Sequence, residues 1–104
     1  MDIIQKLAAE FKIKTTQVQH TIDLIDEGNT IPFIARYRKE ATGGLTDVVL
    51  RDMDERLKYL RNLEERKEEV IRLVEEQGKL TEELREEILK AELLQRVEDL
   101  YKPF

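Results

Sequence analysis

The chain has 104 residues, of which 39% are charged and 40% hydrophobic, with no Cys, one His and a formal net charge of −5. The missing Cys excludes a disulfide frame, a thiolate metal site and a thiol nucleophile, and His20 alone makes no histidine-based zinc site. The negative balance opposes indiscriminate adhesion to phosphate backbones, so a nucleic-acid role requires a local basic patch.

Only four Gly and two Pro interrupt a chain rich in Leu, Ile, Glu, Lys and Arg, which predicts an all-α protein. Ile3, Ile4, Leu7 and Phe11 recur at helical spacing and predict a first amphipathic helix over 2–11. A second follows Lys14 or Thr15, with Val18, Ile22 and Ile25 on its apolar stripe; Thr16 and Gln19 fit a capping box, and Thr15 or Lys14 fits the boundary equally well. Gly28 ends it, Thr30 caps a third helix with Pro32 in its first turn, and that helix is expected to run to about Glu40. Gly43 and Gly44 break the chain again.

Thr46 caps the next element, and 47–77 holds neither Gly nor Pro, which predicts one helix of about 31 residues, roughly 46 Å long. Leu50, Met53, Leu57 and Leu60 form its stripe, and Ile71 and Val74 resume it. Between them Glu64 and Lys67 occupy the apolar positions, so this stretch is expected to be solvated and held by charge pairs four apart: Asp47/Arg51, Asp52/Arg56, Asp54/Lys58, Arg61/Glu65 and Glu68/Arg72. Gly78 ends the helix. Thr81 caps another with Leu84, Ile88 and Ala91 inward, and Leu93, Leu94, Val97, Leu100 and Tyr101 make a last apolar face. The expected organisation is a cluster with a helix-turn-helix-like pair (1–45), the long helix (46–77) and short carboxy-terminal helices (78–104).

The segment from Asp26 to Leu45 carries the least generic pattern, two short helices around a Gly-containing turn. Its second helix bears Arg36, Arg38 and Lys39, with Phe33 and Tyr37 interleaved. These three cations are the candidate nucleic-acid-binding residues. Two readings stay open: phosphate contacts, or structural cations that complement the helix dipole or pair with carboxylates of the long helix. A recognition helix reads bases near its amino end; here that end is Ile31, Pro32, Phe33 and Ile34, which suits a core. The carboxylates of 64–76 fan outward from an unbroken helix, unlike a calcium loop. No nucleophile, base and orienter set is present, so no enzyme activity, cofactor or metal is expected. No uncharged run is long enough to span a bilayer and the start is not that of a secretory signal, so a cytoplasmic protein is expected.

The runs GNTIPFIARYRKEATGGL, ERLKYLRNLEERKEEVIRLVEEQGKLTEEL and VEDLYKPF closely resemble the amino-terminal region of the bacterial Tex family of transcription accessory proteins. The resemblance covers essentially the whole chain. It implies a fragment of a larger multidomain protein with an RNase H-like domain, helix-hairpin-helix elements and an OB-fold RNA-binding domain elsewhere. It also implies nucleic acid as a partner, weakly or through the parent, together with other domains of the parent and the transcription machinery.

Two functions follow as expectations. The first is a helical scaffold and accessory nucleic-acid-binding region, with Arg36, Arg38 and Lys39 facing phosphate. The second is a protein-interaction module that docks neighbouring domains or the transcription machinery without touching nucleic acid. Residues 1–45 hold six cations and six anions, 46–77 seven and ten, and 78–104 five and seven. Any nucleic-acid contact is therefore expected in the neutral first segment.

Overall fold

The computed structural model describes residues 1–104 and contains seven helices and no strand, with 76% of residues helical. They are α1 (Ile3–Phe11), α2 (Thr15–Asp26), α3 (Ile31–Tyr37), α4 (Lys39–Thr42), α5 (Asp47–Glu76), α6 (Glu82–Lys90) and α7 (Leu94–Tyr101). The all-α reading and the long helix, 30 residues against the expected 31, agree with the sequence. No helix is long and apolar enough to cross a membrane.

Helix ends follow local side-chain chemistry. Asp2 accepts from the Gln5 amide, Thr30 from Phe33, Thr46 from Val49 and Thr81 from Leu84, each satisfying an amide that the first turn leaves unpaired. At the start of α2 the boundary is Lys14. The Gln17 side chain accepts from the Lys14 amide at 3.0 Å, whereas Gln19 bonds Asp23, so the box expected of Thr16 and Gln19 does not form.

Two compact units divide within α5, one comprising Asp2–Tyr59 and the other Leu60–Phe104 with Met1. In the first, α1 packs on α2, and Leu24, Ile34 and Leu50 bring α2, α3 and α5 onto one apolar cluster flanked by Ile25, Ile31 and Leu45. Burying such side chains contributes about 1.5 to 3 kcal/mol each. The third helix stops at Tyr37, short of Glu40, because Arg38 leaves helical geometry (φ −125°, ψ 39°) and the chain restarts as α4. That break lays α4 against α2, where the final carbonyls of α4 find donors: Gln17 Nε2 donates to Thr42 at 2.9 Å, and His20 Nδ1 lies 3.1 Å from the Ala41 oxygen. Gly43 (φ +74°) then closes the turn in the left-handed region.

In the second unit the apolar stripe of α5 does not fail. It passes through Leu60, Leu63, Lys67, Val70 and Val74, all buried. Lys67 is only 1% exposed; its ammonium donates to the Leu89 carbonyl at 2.9 Å and to Glu64 at 3.1 Å. The expected solvated stretch is thus corrected, since one cation on the core face is matched by a helix-end carbonyl of α6. Ile88, Ala91 and Val97 complete this core, while Leu93, expected inside, stands before α7 and is exposed. Of the expected pairs, Asp47/Arg51 and Asp54/Lys58 form; Arg56 instead holds Glu10 of α1, and Arg72 holds Glu76.

Candidate functional site

The break at Arg38 decides where the three candidate cations go. Arg36 and Lys39 are exposed and line one cleft of about 430 Å³ with Pro32, Leu45 and Asp47, beside the Gly43–Gly44 turn. Neither forms an ion pair, and Asp47 is engaged with Arg51 at 3.7 Å. Arg38 points elsewhere. It lines a separate cleft with His20, Asp23 and Glu27, and its Nε donates to Glu40 at 2.7 Å. That hydrogen bond holds the Glu40 carboxyl below its ordinary range. The expected pairing of Arg36 and Arg38 with long-helix carboxylates is therefore replaced by a neighbour's carboxylate for Arg38 and an aromatic ring for Arg36.

That ring belongs to Tyr37, whose centroid lies 5.4 Å from the Arg36 guanidinium carbon. Phe33 stands one turn earlier, its ring centroid 5.3 Å from that of Tyr37 at an interplanar angle of 47°. Both rings are open to solvent, Phe33 at 42% and Tyr37 at 59%. The sequence assigned the amino end of α3 to a core, but only Ile34 is fully buried there and Ile31 partly so. The available signal was the spacing: 33 and 37 are four apart and 33 and 36 three apart, which places all three on one helix face.

Elsewhere two guanidinium groups of α5 each grip a carboxylate of another helix. Arg56 makes a two-pronged contact with Glu10 at 2.8 and 3.0 Å and lies over the Tyr59 ring. Arg66 grips Glu98 in the same manner beside Tyr101. Hydrogen bonding to these guanidinium groups lowers the pKa of Glu10 and of Glu98. No group of three or more His, Asp or Glu side chains converges as a metal site.

The arrangement is a small all-helical fold in which Arg36 and Lys39, without a carboxylate partner, stand on α3 and α4, and α3 also carries the exposed rings of Phe33 and Tyr37. Residues 1–75 match the Tex-like protein N-terminal domain family, and the chain belongs to that family. It is 53% identical over all 104 residues to the transcriptional accessory protein Tex of Neisseria gonorrhoeae. It is 54% identical over 102 residues to protein tex of Bordetella pertussis. Over 103 residues it is 30% identical to human S1 RNA-binding domain-containing protein 1. The chain is covered by these matches at 98 to 100% but spans only 14%, 13% and 10% of the three relatives, which are much longer proteins.

Proposed function

We propose that this domain is a helical scaffold and accessory nucleic-acid contact of a cytoplasmic transcription accessory protein, with Arg36, Arg38 and Lys39 as its phosphate-facing residues. The observation that carries this reading is the pair Arg36 and Lys39, exposed on one cleft with no carboxylate partner. Arg38, already paired with Glu40, is assigned the smaller share. Phosphate contacts from a basic patch position a nucleic acid without reading its sequence. The reading assigns the domain no catalytic step.

Titration with labelled DNA and RNA at low salt tests it, set beside Arg36→Ala/Arg38→Ala/Lys39→Ala. Loss of the Arg36 and Lys39 contacts lowers the salt slope on a single strand by about 1.4, and Arg38 adds at most about 0.7. Absence of binding, or binding that ignores both salt and the substitutions, refutes the reading.

Docking of another protein or another domain of the parent is supported by different residues. Leu89 and Leu93 are 46% and 61% exposed on the second unit, whose sequence carries a net negative charge. Recovery of a partner that Leu89→Ser/Leu93→Ser fails to hold favours this second reading. A monodisperse domain with no partner among the remaining parent domains counts against it.

A further inference from the structure

Two exposed lysines between α1 and α2 stand where the local backbone disfavours them. Lys12 ends α1 with φ 57° and ψ 47°, the one residue other than Gly in the left-handed region. That region crowds Cβ against the following carbonyl, and Gly or Asn usually fills a helix end of this kind. Lys14 is the N-cap of α2, where Ser, Thr, Asp or Asn would accept from first-turn amides. Its side chain makes no such bond, and its ammonium opposes the positive end of the helix dipole. Both side chains are exposed and neither meets a carboxylate. Residues that break a local rule without a compensating contact mark a functional candidate.

One side chain ties this turn to the cleft of Arg36 and Lys39. Gln17 Oε1 accepts from the Lys14 amide at 3.0 Å, and Gln17 Nε2 donates to the Thr42 carbonyl at 2.9 Å. Gly43 follows Thr42 and abuts Gln17 so closely that a Cβ there would stand 2.4 Å from Nε2, and Gly44 lines the cleft. The path from Lys14 to the cleft thus runs over two glycines, which put neither bulk nor charge in its way.

We propose that Lys12 and Lys14 extend the phosphate-facing surface of Arg36 and Lys39 across the Gly43–Gly44 turn, so that one polyanionic strand is held by both pairs of cations. This rests on the phosphate-facing reading above and adds binding residues from the first two helices to it. The chemistry that fits is a run of phosphodiesters, whose repeated charges engage both pairs at once, as an isolated phosphate cannot. Because the two lysines are held against the preference of their backbone, replacing them with the residues that preference favours should separate binding from folding: stability rises while affinity falls.

The test is fluorescence anisotropy of the 104-residue chain with labelled oligothymidylate across a salt series, set beside thermal unfolding. Lys12→Gly/Lys14→Ser should raise the melting midpoint by about 4 to 8 °C. The same variant should bind about 25-fold more weakly at about 0.1 M salt, because two lost contacts lower the salt slope by about 1.4. Arg36→Ala/Lys39→Ala should lower the slope equally without raising the midpoint. Lys12→Arg/Lys14→Arg keeps both charges and should bind within about twofold of the parent. Lys79→Ser/Lys102→Ser, in the other compact unit, changes the net charge by the same amount and should leave the slope unchanged. A parental slope in Lys12→Gly/Lys14→Ser, while Arg36→Ala/Lys39→Ala loses its own, overturns the extension and leaves the cleft reading standing. An equal loss in the Lys79 and Lys102 control assigns the effect to net charge and overturns the extension too, as does a lowered midpoint in Lys12→Gly/Lys14→Ser, which marks the lysines as structural. Slope lost in the Lys12 and Lys14 variant alone, or no binding by the parent chain, overturns the extension and the cleft reading together.

Discussion

Replacing Lys67 by Met is expected to destabilise the protein, although it removes a buried charge. Two effects oppose each other. Holding an ammonium out of water costs several kcal/mol, and apolar replacement of an entire buried ion pair is often neutral or stabilising. Here, however, only one partner is removed. The Leu89 carbonyl is among the last four of α6, which have no acceptor role inside the helix, and the Lys67 amine supplies its donor at 2.9 Å. Leaving such a group unpaired costs about 1 to 3 kcal/mol. Glu64 is not stranded, because its side chain is 27% exposed and also meets the Met1 ammonium at 3.6 Å. The loss is therefore set by the carbonyl, and a net destabilisation of about 1 to 3 kcal/mol is expected for Lys67→Met.

Lys67→Ala loses the buried stem as well. Three methylenes at about 0.8 kcal/mol each add roughly 2 kcal/mol, for a total of about 3 to 5. Glu64→Gln should cost less than about 1 kcal/mol, as for other partly exposed pairs. Urea unfolding followed by far-UV circular dichroism separates these, read as midpoint shifts at constant slope. In thermal scans each kcal/mol corresponds to about 4 to 8 °C for a domain of this size. A Met variant as stable as the parent, or more so, refutes the argument, for it means that the carbonyl bond does not offset the desolvation of the amine.

Three further outcomes are expected. Gly43→Ala should destabilise by about 1 to 3 kcal/mol, from its left-handed backbone and a new Cβ 2.4 Å from Gln17 Nε2, and Gly44→Ala by only about 1, since nothing lies within 4 Å there; equal thermal shifts contradict this ordering. Glu98, held by Arg66 with its pKa lowered on folding, contributes stability that is full above the ordinary carboxylate value of about 4.3 and fades as pH falls through the lower folded value. Glu98→Gln should therefore flatten the acid limb of urea midpoints below about pH 4.3 and lower the plateau above it, and an unchanged limb removes the pair from acid stability. Thr30→Ala removes the α3 cap and should cost about 1 kcal/mol by thermal unfolding.

How far the fold could be read from sequence is clearest along α5. Steps of three and four from Leu50 through Met53 and Leu57 to Leu60 are plain. From Leu60 a step of four reaches Glu64 and a step of three reaches Leu63, and periodicity alone does not choose between them. The structure takes Leu63, so the stripe continues through Lys67 and Val70. Lys67 reads as a polar interruption because its matching acceptor, the Leu89 carbonyl, lies 22 residues away and is a backbone atom. Backbone partners leave no trace in composition. Caps do, since Thr30, Thr46 and Thr81 act on amides three residues on, and those helix starts were legible for that reason.

The candidate site was legible as a set of residues and not as a surface. On a helix, 36 and 39 lie about 60° apart and 36 and 38 about 160° apart at 100° per residue, so spacing alone already detaches Arg38 from the other two. The break at Arg38 widens that separation, because α4 turns onto α2 to satisfy the carbonyls of Ala41 and Thr42. The same fold requirement that docks α4 thus commits Arg38 to Glu40 and leaves Arg36 and Lys39 open on the Gly43–Gly44 side. Net charge could not reveal this, since the first 45 residues are neutral whether or not their cations are paired. Whether Arg38 keeps company with Arg36 and Lys39 or turns to a carboxylate follows from where a four-residue helix finds its donors.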